Sequence, residues 1–234
     1  MVYNINSYIT SIEGAGTKKE LEDIISAIFK EAGFGYYALV LVDELNQYGE
    51  HPHLTSFPKG FVEMYKESNF SDLDPVIIQG KGEYRLVRWE NFKRTSADFP
   101  LFDTAQKAGL IHGCVKVFTF PRGGVVGVCS LARSEGKISD EELKEISPLI
   151  EPVADALLKR FYELSEVDRV KIIIPEKRNN VLRLLVEGHR PKQIADKLSI
   201  VLDTVNGHIK NLKMQFGVQT TTKLVLKASR LDLH

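Results

Sequence analysis

The sequence predicts an α+β protein of two domains: a larger one in which helices cover a sheet, and a smaller one built from four short helices. Two observations support this prediction. Helical and strand-like segments alternate over residues 17–162, whereas only short helical segments follow Asn179. The charge also changes sign along a polar stretch between Glu163 and Glu176. We therefore expect a first domain at residues 1–165, a linker at 166–176 and a second domain at 177–234.

The first domain begins with clear helix and strand patterns. Thr17 and Glu20 have the spacing of a capping box, and an apolar helical face follows as far as Gly33. The apolar run Tyr36–Val42 predicts a buried strand, with which His53–Phe57 could pair.

Three helices are expected to follow these strands. Pro58 is suited to the first turn of one helix, and Asp74 to the N-cap of a short helix that begins at Pro75. A third helical stretch, Asp98–Ala108, is closed by Gly109.

A hairpin and a long helix complete the domain. Arg122-Gly123-Gly124 separates the strand-like runs Cys114–Phe120 and Val125–Leu131. Ser139 and Glu142 then have capping-box spacing before a long amphipathic helix that extends to Tyr162. These segments together predict a mixed sheet with helices packed on it.

The neutral net charge conceals two oppositely charged parts. From Lys171 to His234 there are 12 Lys+Arg against 5 Asp+Glu, a net charge of +7. The preceding residues hold the other 19 basic and 26 acidic side chains, a net charge of −7. A basic, helical second domain is typical of proteins that bind nucleic acid.

Several classes of protein are disfavoured. The apolar runs are far shorter than the roughly 20 residues that span a bilayer, and Met1–Thr10 lacks a signal-peptide pattern, so we expect a cytoplasmic protein with no membrane contact. Cys114 and Cys129 lie in strand-like sequence and fit buried thiols better than a redox or metal site. The histidines show no metal-ligand spacing, and Gly123-Gly124 lacks the context of a nucleotide loop. We expect neither an enzyme nor a bound metal or cofactor.

The second domain has the spacing of a helix-turn-helix. One helix carries Val181 and Leu185, Pro191 begins the next, and Ser199–Leu202 turns the chain into a third helix from Thr204 onward. Asparagine can pair with adenine, and lysine can contact guanine or phosphate. On charge and spacing alone, a helical bundle with a solvated basic face is the alternative. The predicted DNA-binding residues are Lys192, Gln193, Thr204, Asn206, His208, Lys210, Asn211 and Lys213.

Several short motifs in this domain resemble the LuxR-type helix-turn-helix over about 60 residues. They are Val181-Leu182-Arg183, Glu187-Gly188, Gln193-Ile194-Ala195, Leu198-Ser199-Ile200, Thr204-Val205, His208-Ile209-Lys210-Asn211 and Phe216-Gly217-Val218. Such a domain is attached to several kinds of sensor. A phosphoryl receiver is disfavoured because Asp43 follows a strand but no acidic pair ends an earlier one to hold magnesium.

The first domain resembles the acyl-homoserine-lactone-binding domain of quorum-sensing LuxR regulators. The matching residues, in order, are Ser56-Phe57-Pro58, Phe61, Tyr65, Asp74-Pro75-Val76, Trp89, Gly113 and Val126-Gly127-Val128-Cys129-Ser130-Leu131. The resemblance implies an α-β-α sandwich with a small apolar signal enclosed between the sheet and one helical layer. The predicted signal-binding residues are Phe57, Phe61, Tyr65, Asp74, Trp89 and Ser130.

The chemistry of these side chains leaves alternatives open. An ionised Asp74 can accept from an amide N–H, but it can equally cap the helix that begins at Pro75, and the two roles can use different oxygens. Tyr65 can pack on an acyl chain, donate a hydrogen bond or belong to the core. The resemblance places Trp89 beside a lactone ring, although a lone tryptophan is usually a packing residue. Ser130 can contact an acyl carbonyl or simply be a small strand residue.

Two phenylalanines depart from the family pattern. Phe57 and Phe61 stand where the family has Tyr and Trp donors for the signal's carbonyls, and neither can donate. A missing donor opposite a buried carbonyl costs roughly 1–3 kcal/mol. We expect a lactone held by other donors or water, a different apolar signal with fewer carbonyls, or no ligand.

The second domain departs at three positions. Arg178 replaces a family glutamate, Val201 replaces the Ser or Thr before the recognition helix, and Gly207 lies inside that helix. Valine cannot cap with an oxygen, and a helical glycine costs roughly 1 kcal/mol relative to alanine. These changes predict weak DNA binding without a partner or ligand, an altered site preference, or a regulator that acts mainly by forming heterodimers.

The resemblance and the residues together predict a homodimeric quorum-sensing transcription regulator that reads an inverted repeat in double-stranded DNA. The long helix from Ser139 and the last helix, Thr222–Leu231, offer apolar faces for dimerisation or for packing within their own domains. One alternative is a ligand-independent regulator. The other is an antagonist that forms heterodimers with a related regulator.

Overall fold

The computed structural model describes residues 4–43, 51–68, 70, 73–80, 85–93, 95, 99–120, 125–165 and 174–230. These residues form two compact units, with the main boundary between Glu166 and Val167. The predicted turn Arg122-Gly123-Gly124 and most of the predicted linker lie outside the described residues.

The first unit holds six helices, five strands and a short 3-10 turn in its described part. In chain order they are α1 (Ile5–Gly14), α2 (Lys18–Glu31), β1 (Tyr36–Asp43), β2 (His53–Thr55), α3 (Lys59–Glu67), α4 (Pro75–Gln79), β3 (Val87–Arg88), the 3-10 turn Trp89–Asn91, α5 (Phe99–Lys107), β4 (His112–Thr119), β5 (Val125–Arg133) and α6 (Asp140–Leu164).

The sheet has the order β2-β1-β5-β4-β3 and is antiparallel, so the prediction of a mixed sheet was wrong. Alternating helices and strands favoured parallel crossovers. Here, instead, the three helices α3, α4 and α5 lie between β2 and β4 in the sequence, with the two-residue strand β3 between α4 and α5, and they form one layer. The predicted strand pairings are correct: β1 pairs with β2 and β4 pairs with β5.

Helices cover both faces of the sheet, which confirms the predicted α-β-α sandwich. On one face, Lys116 of β4 forms an ion pair with Asp155 of α6 at 2.7 Å, and Phe29 of α2 packs on Tyr37 of β1. On the other face, Val76 of α4 shares a core with sheet valines. The two faces alternate along each strand, as the period of two requires.

The predicted helix caps are present. Thr17 Oγ1 accepts from Glu20 N at 3.1 Å, and Ser139 Oγ accepts from Glu142 N at 3.1 Å. Asp74 caps α4 with Pro75 in the first turn. These side chains satisfy backbone donors that have no partner within the helix.

Helix α1 was not predicted. Its sequence is rich in Asn, Ser and Thr, which are weak helix formers. Asn4 caps it by accepting from Ser7 N, and Ile12 is fully buried. Arg160 of α6 donates to the carbonyl of Ala15 just after it, so packing on α6 stabilises a helix that local propensity does not specify.

The apolar face of α6 is buried within its own domain. Its buried residues are Ile146, Leu149, Ile150, Val153, Ala154, Leu157, Leu158 and Phe161. The outward side carries charged residues such as Lys144, Glu145 and Lys159. The structure therefore supports packing of this face within its own domain.

The second unit contains α7 (Glu176–Val186), α8 (Pro191–Leu198), α9 (Leu202–Gln215) and α10 (Thr221–Arg230). One apolar core joins all four, centred on fully buried Val181, Ile194, Val205, Leu212 and Leu224. The recognition helix α9 begins at Leu202, two residues earlier than predicted.

The helices in the described part of the chain lack the length and apolar composition that a membrane-spanning segment requires.

Candidate functional site

Five aromatic side chains form a continuous cluster between the sheet and the layer α3–α5. The aromatic cluster consists of Phe57, Phe61, Tyr65, Phe70 and Trp89. Ring centroids lie 5.9 Å apart for Phe57 and Phe61, 6.5 Å for Phe57 and Trp89, and 5.9 Å for Phe61 and Tyr65. The structure thus brings four of the six predicted signal-binding residues into one cluster.

Local structure explains how β2 and α3 present these rings. Thr55 Oγ1 accepts from Phe57 N at 3.0 Å and donates to Tyr37 O at 2.9 Å, which fixes the chain where it leaves the sheet. Phe61 and Tyr65 are four residues apart on α3 and therefore share one face of the helix.

Trp89 reaches the cluster from the sheet edge. Strand β3 pairs with β4 so that Arg88 lies opposite Cys114, which brings the next residue, Trp89, over Gly113. A Cβ on Gly113 would lie only 2.4–2.6 Å from three indole carbons, so only glycine lets the ring lie against the strand. The indole Nε1 is buried, and no acceptor bonds to it in the part of the chain that is described.

Asp74 uses its two carboxylate oxygens differently. Oδ1 accepts from Val76 N at 2.9 Å and caps α4, while Oδ2 accepts from the Tyr65 hydroxyl at 2.8 Å. The capping role is therefore present. A carboxylate oxygen has more than one lone pair, so Oδ2 can also accept from a ligand N–H.

Ser130 lies on the same face of the sheet, between two apolar clusters. It is 9% exposed and pairs across the sheet with Val115. Its neighbours on that face of β5 are Val128, which packs with α4, and Ala132, which packs with Phe61.

A second cluster on this face, which the sequence analysis did not identify, is the valine cluster. It contains Val42, Val76, Val115, Val117, Val126 and Val128.

An open groove of about 400 Å³ borders the valine cluster. Its lining residues are Gln79, Arg85, Leu86, Val87, Asn91 and Phe92. None of the six predicted signal-binding residues lines this groove. Phe92 lines the groove and also packs against the valine cluster.

Both cysteines are buried free thiols, as predicted. Burial raises the pKa of Cys114 and of Cys129, so both thiols stay protonated at neutral pH. No group of acidic, histidine and cysteine side chains suited to a metal ion occurs among the described residues.

The chemistry of this side of the sheet suits an elongated, mostly apolar molecule. The valine cluster offers an aliphatic lining, and the aromatic cluster offers flat walls. The polar groups are an acceptor on Asp74, the Tyr65 hydroxyl, the Ser130 hydroxyl and the indole N–H of Trp89.

In the second unit, α9 presents a mixed polar face to solvent. Asp203, Gly207, Lys210, Asn211 and Met214 recur at spacings of three and four, and all are exposed. Thr204 and Asn206 flank this face and are also exposed, whereas His208 and Lys213 are half-buried at its edges. Lys192 and Gln193 are exposed at the start of α8.

Some polar groups of this unit are engaged in its own structure. Gln193 Oε1 accepts from the backbone N of Arg190 at 2.9 Å, so a side chain within the first turn of α8 caps this helix. The reciprocal bond of a capping box is absent here, because the Arg190 side chain has no acceptor for the backbone N–H of Gln193. Arg178 donates to Gln215 Oε1 at 3.4 Å, which links the start of α7 to the end of α9.

The start of α9 is apolar and uncapped. Val201 occupies the N-cap position, makes no capping hydrogen bond and is 69% exposed, and Leu202 is 42% exposed. Met214 is 67% exposed on the outward face, and sequence reasoning missed it. In a helix-turn-helix, side chains near the start of this helix approach the bases.

Two family models match the chain. Residues 17–161 match the autoinducer binding domain, and residues 176–228 match the bacterial regulatory proteins of the luxR family. The first match includes all six predicted signal-binding residues, and the second includes all eight predicted DNA-binding residues.

Similar proteins are transcription regulators. The transcriptional activator protein PhzR of Pseudomonas fluorescens is 27% identical over 180 residues, covering 75% of this chain and 72% of PhzR. The quorum-sensing regulator RhlR of Pseudomonas aeruginosa is 26% identical, covering 76% of this chain and 74% of RhlR.

Solved structures share the fold. A structure of SdiA in complex with octanoyl-rac-glycerol has a TM-score of 0.72 and 22% identity, covering all of this chain and 98% of the other. CepR2 from Burkholderia cenocepacia has a TM-score of 0.60 and 18% identity, covering 69% of this chain and 95% of the other. Since the autoinducer-binding match alone spans more than half of the 234 residues, the chain belongs to the LuxR family and is a quorum-sensing transcription regulator with an autoinducer-binding domain and a helix-turn-helix DNA-binding domain.

Proposed function

We propose that residues 1–165 enclose an acyl-homoserine lactone, or a related apolar signal with fewer carbonyls, and that the bound signal controls operator binding by residues 177–234. Residues 166–176 act as the linker. The proposed signal contacts are Phe57, Phe61, Tyr65, Asp74, Trp89 and Ser130.

The observation that carries this proposal is the arrangement of two different linings on one side of the sheet. The aromatic cluster and the Asp74 carboxylate offer walls and an acceptor for a compact head that has an N–H. The valine cluster offers a lining for an aliphatic chain. A molecule whose head has one hydrogen-bond donor and whose tail is a hydrocarbon chain matches both linings.

A head less polar than a homoserine lactone also fits. Phe57 and Phe61 contact each other in the cluster and supply no hydrogen-bond donor. SdiA, with which this chain shares its fold, has been solved with octanoyl-rac-glycerol, an acyl chain on a head without a lactone ring.

The proposed DNA contacts lie on α8 and α9 and are Lys192, Gln193, Thr204, Asn206, His208, Lys210, Asn211 and Lys213. Lysines supply phosphate contacts, which set most of the affinity, and asparagines supply base contacts. One such domain has a small footprint, so we propose that a homodimer reads an inverted repeat, in the cytoplasm where bacterial DNA is found.

Mass spectrometry and thermal melting test the signal. The full chain is purified from cells fed single members of a panel of acyl-homoserine lactones and non-lactone acyl compounds, and each solvent extract is analysed. We expect stoichiometric recovery of one class together with a raised Tm, because a ligand that binds only the folded chain stabilises it. A folded chain that yields no compound and shows no shift would contradict the proposal.

A ligand-independent regulator is the second candidate, and the closeness of the aromatic rings favours it. Phe61 is only 9% exposed and packs on both Phe57 and Tyr65, so the cluster already fills part of the space available to a ligand. Gel shifts with and without the recovered signal discriminate the two candidates. Equal operator affinity in both conditions supports ligand independence, and binding only with a second regulator supports the heterodimeric antagonist.

A further inference from the structure

The buried indole N–H of Trp89 has no acceptor in the described part of the chain. Buried donors in folded proteins are nearly always paired, and an exception calls for a physical explanation. The ring cannot turn freely to find a partner, because Gly113 lies against one face and the Phe57 ring meets it edge-on at 6.5 Å.

The rings of the aromatic cluster that lie closest to Trp89 do not duplicate this donor. Phe57 and Phe61 have no polar atom, and the Tyr65 hydroxyl already donates to Asp74 Oδ2 at 2.8 Å. The aromatic cluster and the adjacent Asp74 therefore combine one half-buried acceptor, the Asp74 carboxylate, with one buried donor, Trp89 Nε1, that has no partner among the described residues.

We propose that Trp89 Nε1 donates a hydrogen bond to a carbonyl oxygen in the head of the signal, and that it thereby supplies the donor that Phe57 and Phe61 lack. This inference rests on the proposed function, in which the signal head lies within the aromatic cluster. Trp89 is then a specificity-determining residue and not only a wall of the site.

The arrangement restricts which heads are accepted. A head with one N–H or O–H for Asp74 and one carbonyl for Trp89 satisfies both groups, and each further carbonyl would have to find Ser130, Tyr65 or water. Esters, lactones and amides all provide the required oxygen, whereas ethers and amines at that position do not provide a carbonyl acceptor.

Nuclear magnetic resonance tests the bond directly. Trp89 is the only tryptophan, so the ¹⁵N-labelled full chain gives a single indole cross peak. The probes are N-octanoyl homoserine lactone, its analogue with a ring CH₂ in place of the lactone carbonyl, and its analogue with CH₂ in place of the amide carbonyl. We expect the lactone to move the indole proton downfield and one of the two analogues to lose that shift.

An isosteric substitution gives the affinity. Replacing Trp89 with benzothienylalanine keeps the bicyclic shape and removes the N–H. We expect the lactone to bind this variant about tenfold to hundredfold more weakly than the wild type. The analogue without the responsible carbonyl should bind the variant and the wild type equally, since the two changes remove the same bond.

The outcomes separate this inference from the proposed function. If the lactone raises the Tm of the full chain but neither the indole peak nor the affinity of the benzothienyl variant changes, the signal binds and the Trp89 inference is overturned. If no member of the wider panel of acyl compounds raises the Tm or moves the peak, both proposals fail.

Discussion

The hydroxyl of Tyr65 donates to one oxygen of Asp74 at 2.8 Å, while the other oxygen of the same carboxylate caps α4. One side chain therefore fixes the start of a helix and lies at the edge of the proposed signal site. A substitution that keeps the cap and changes the acceptor separates these two roles.

Asp74→Asn is expected to leave the free energy of unfolding within about 1 kcal/mol of the wild type, because asparagine caps helices as well as aspartate does. Signal affinity should fall at least about tenfold, since an amide NH₂ replaces an acceptor opposite the signal's N–H. Urea unfolding and calorimetric titration measure the two effects. Asp103→Asn, which removes an exposed partner of Lys107, is the matched control and should change neither; unchanged signal binding in Asp74→Asn would exclude the acceptor role.

Gly113→Ala should destabilise the first domain by about 1–3 kcal/mol and weaken signal binding. The added methyl would lie 2.4–2.6 Å from the indole ring of Trp89, so the ring or the strand has to move. Gly14→Ala, at the end of α1, is the control and should be neutral or slightly stabilising, because no other element among the described residues comes within 4 Å of the new methyl. Thermal melts of both variants check the prediction, and equal Tm values would show that the indole is not held against β4.

Gly207→Ala should stabilise the second domain by about 1 kcal/mol, because alanine is the better helix former and, in the described part of the chain, no other element comes within 4 Å of its methyl. Gly188→Ala should destabilise it, since Gly188 has a φ of +88° that alanine adopts only with strain. Chemical unfolding of the full chain measures both. Gel shifts on the same variants show whether a methyl at the centre of the outward face of α9 hinders contact with DNA.

Val201→Ser should stabilise α9 by about 1 kcal/mol relative to Val201→Ala, because serine supplies the side-chain oxygen that the N-cap lacks. The alanine variant controls for removal of the exposed apolar side chain. Equal unfolding free energies for the two variants would mean that another group, such as Asp203, already satisfies the free backbone donors.

Glu142→Gln should cost about 1 kcal/mol at pH 7, and this cost should shrink as the pH falls below the ordinary glutamate pKa of about 4.3. Arg133 donates two hydrogen bonds to Glu142, at 2.6 and 2.7 Å, and holds the pKa of this carboxyl below its ordinary value. A carboxyl whose pKa is lower in the folded chain than in the unfolded chain stabilises the fold at pH values above its ordinary pKa of about 4.3. This stabilisation is lost as the pH falls through the folded-state pKa. Glu163→Gln, which weakens the more exposed pair with Arg160, is the control for urea unfolding across this pH range. A cost that stays the same across the whole pH range would assign the effect to packing and not to charge.

Much of the architecture could be predicted because local signals agree with it. Thr17, Asp74 and Ser139 are caps both in the sequence pattern and in the structure, and the apolar run from Tyr36 is a buried strand. These features depend on neighbours only a few residues away.

The predictions failed where the structure depends on contacts between residues that are far apart in the sequence. Helix α1 forms against α6 despite weak local propensity, and the direction of the strands depends on which strands become neighbours. The bond from Tyr65 to Asp74, and the lack of an acceptor for Trp89 Nε1 among the described residues, are likewise tertiary features that no local pattern encodes.

The position of Trp89 also determines how the protein can be observed. It is the sole tryptophan among 234 residues, and it belongs to the aromatic cluster, where we place the signal. Light at wavelengths that tyrosine does not absorb therefore excites a single chromophore, and every change in its emission originates at that place. Tryptophan fluorescence of the unlabelled wild-type chain can therefore report signal binding. Candidate signals can be ranked by fluorescence titration before any operator is known.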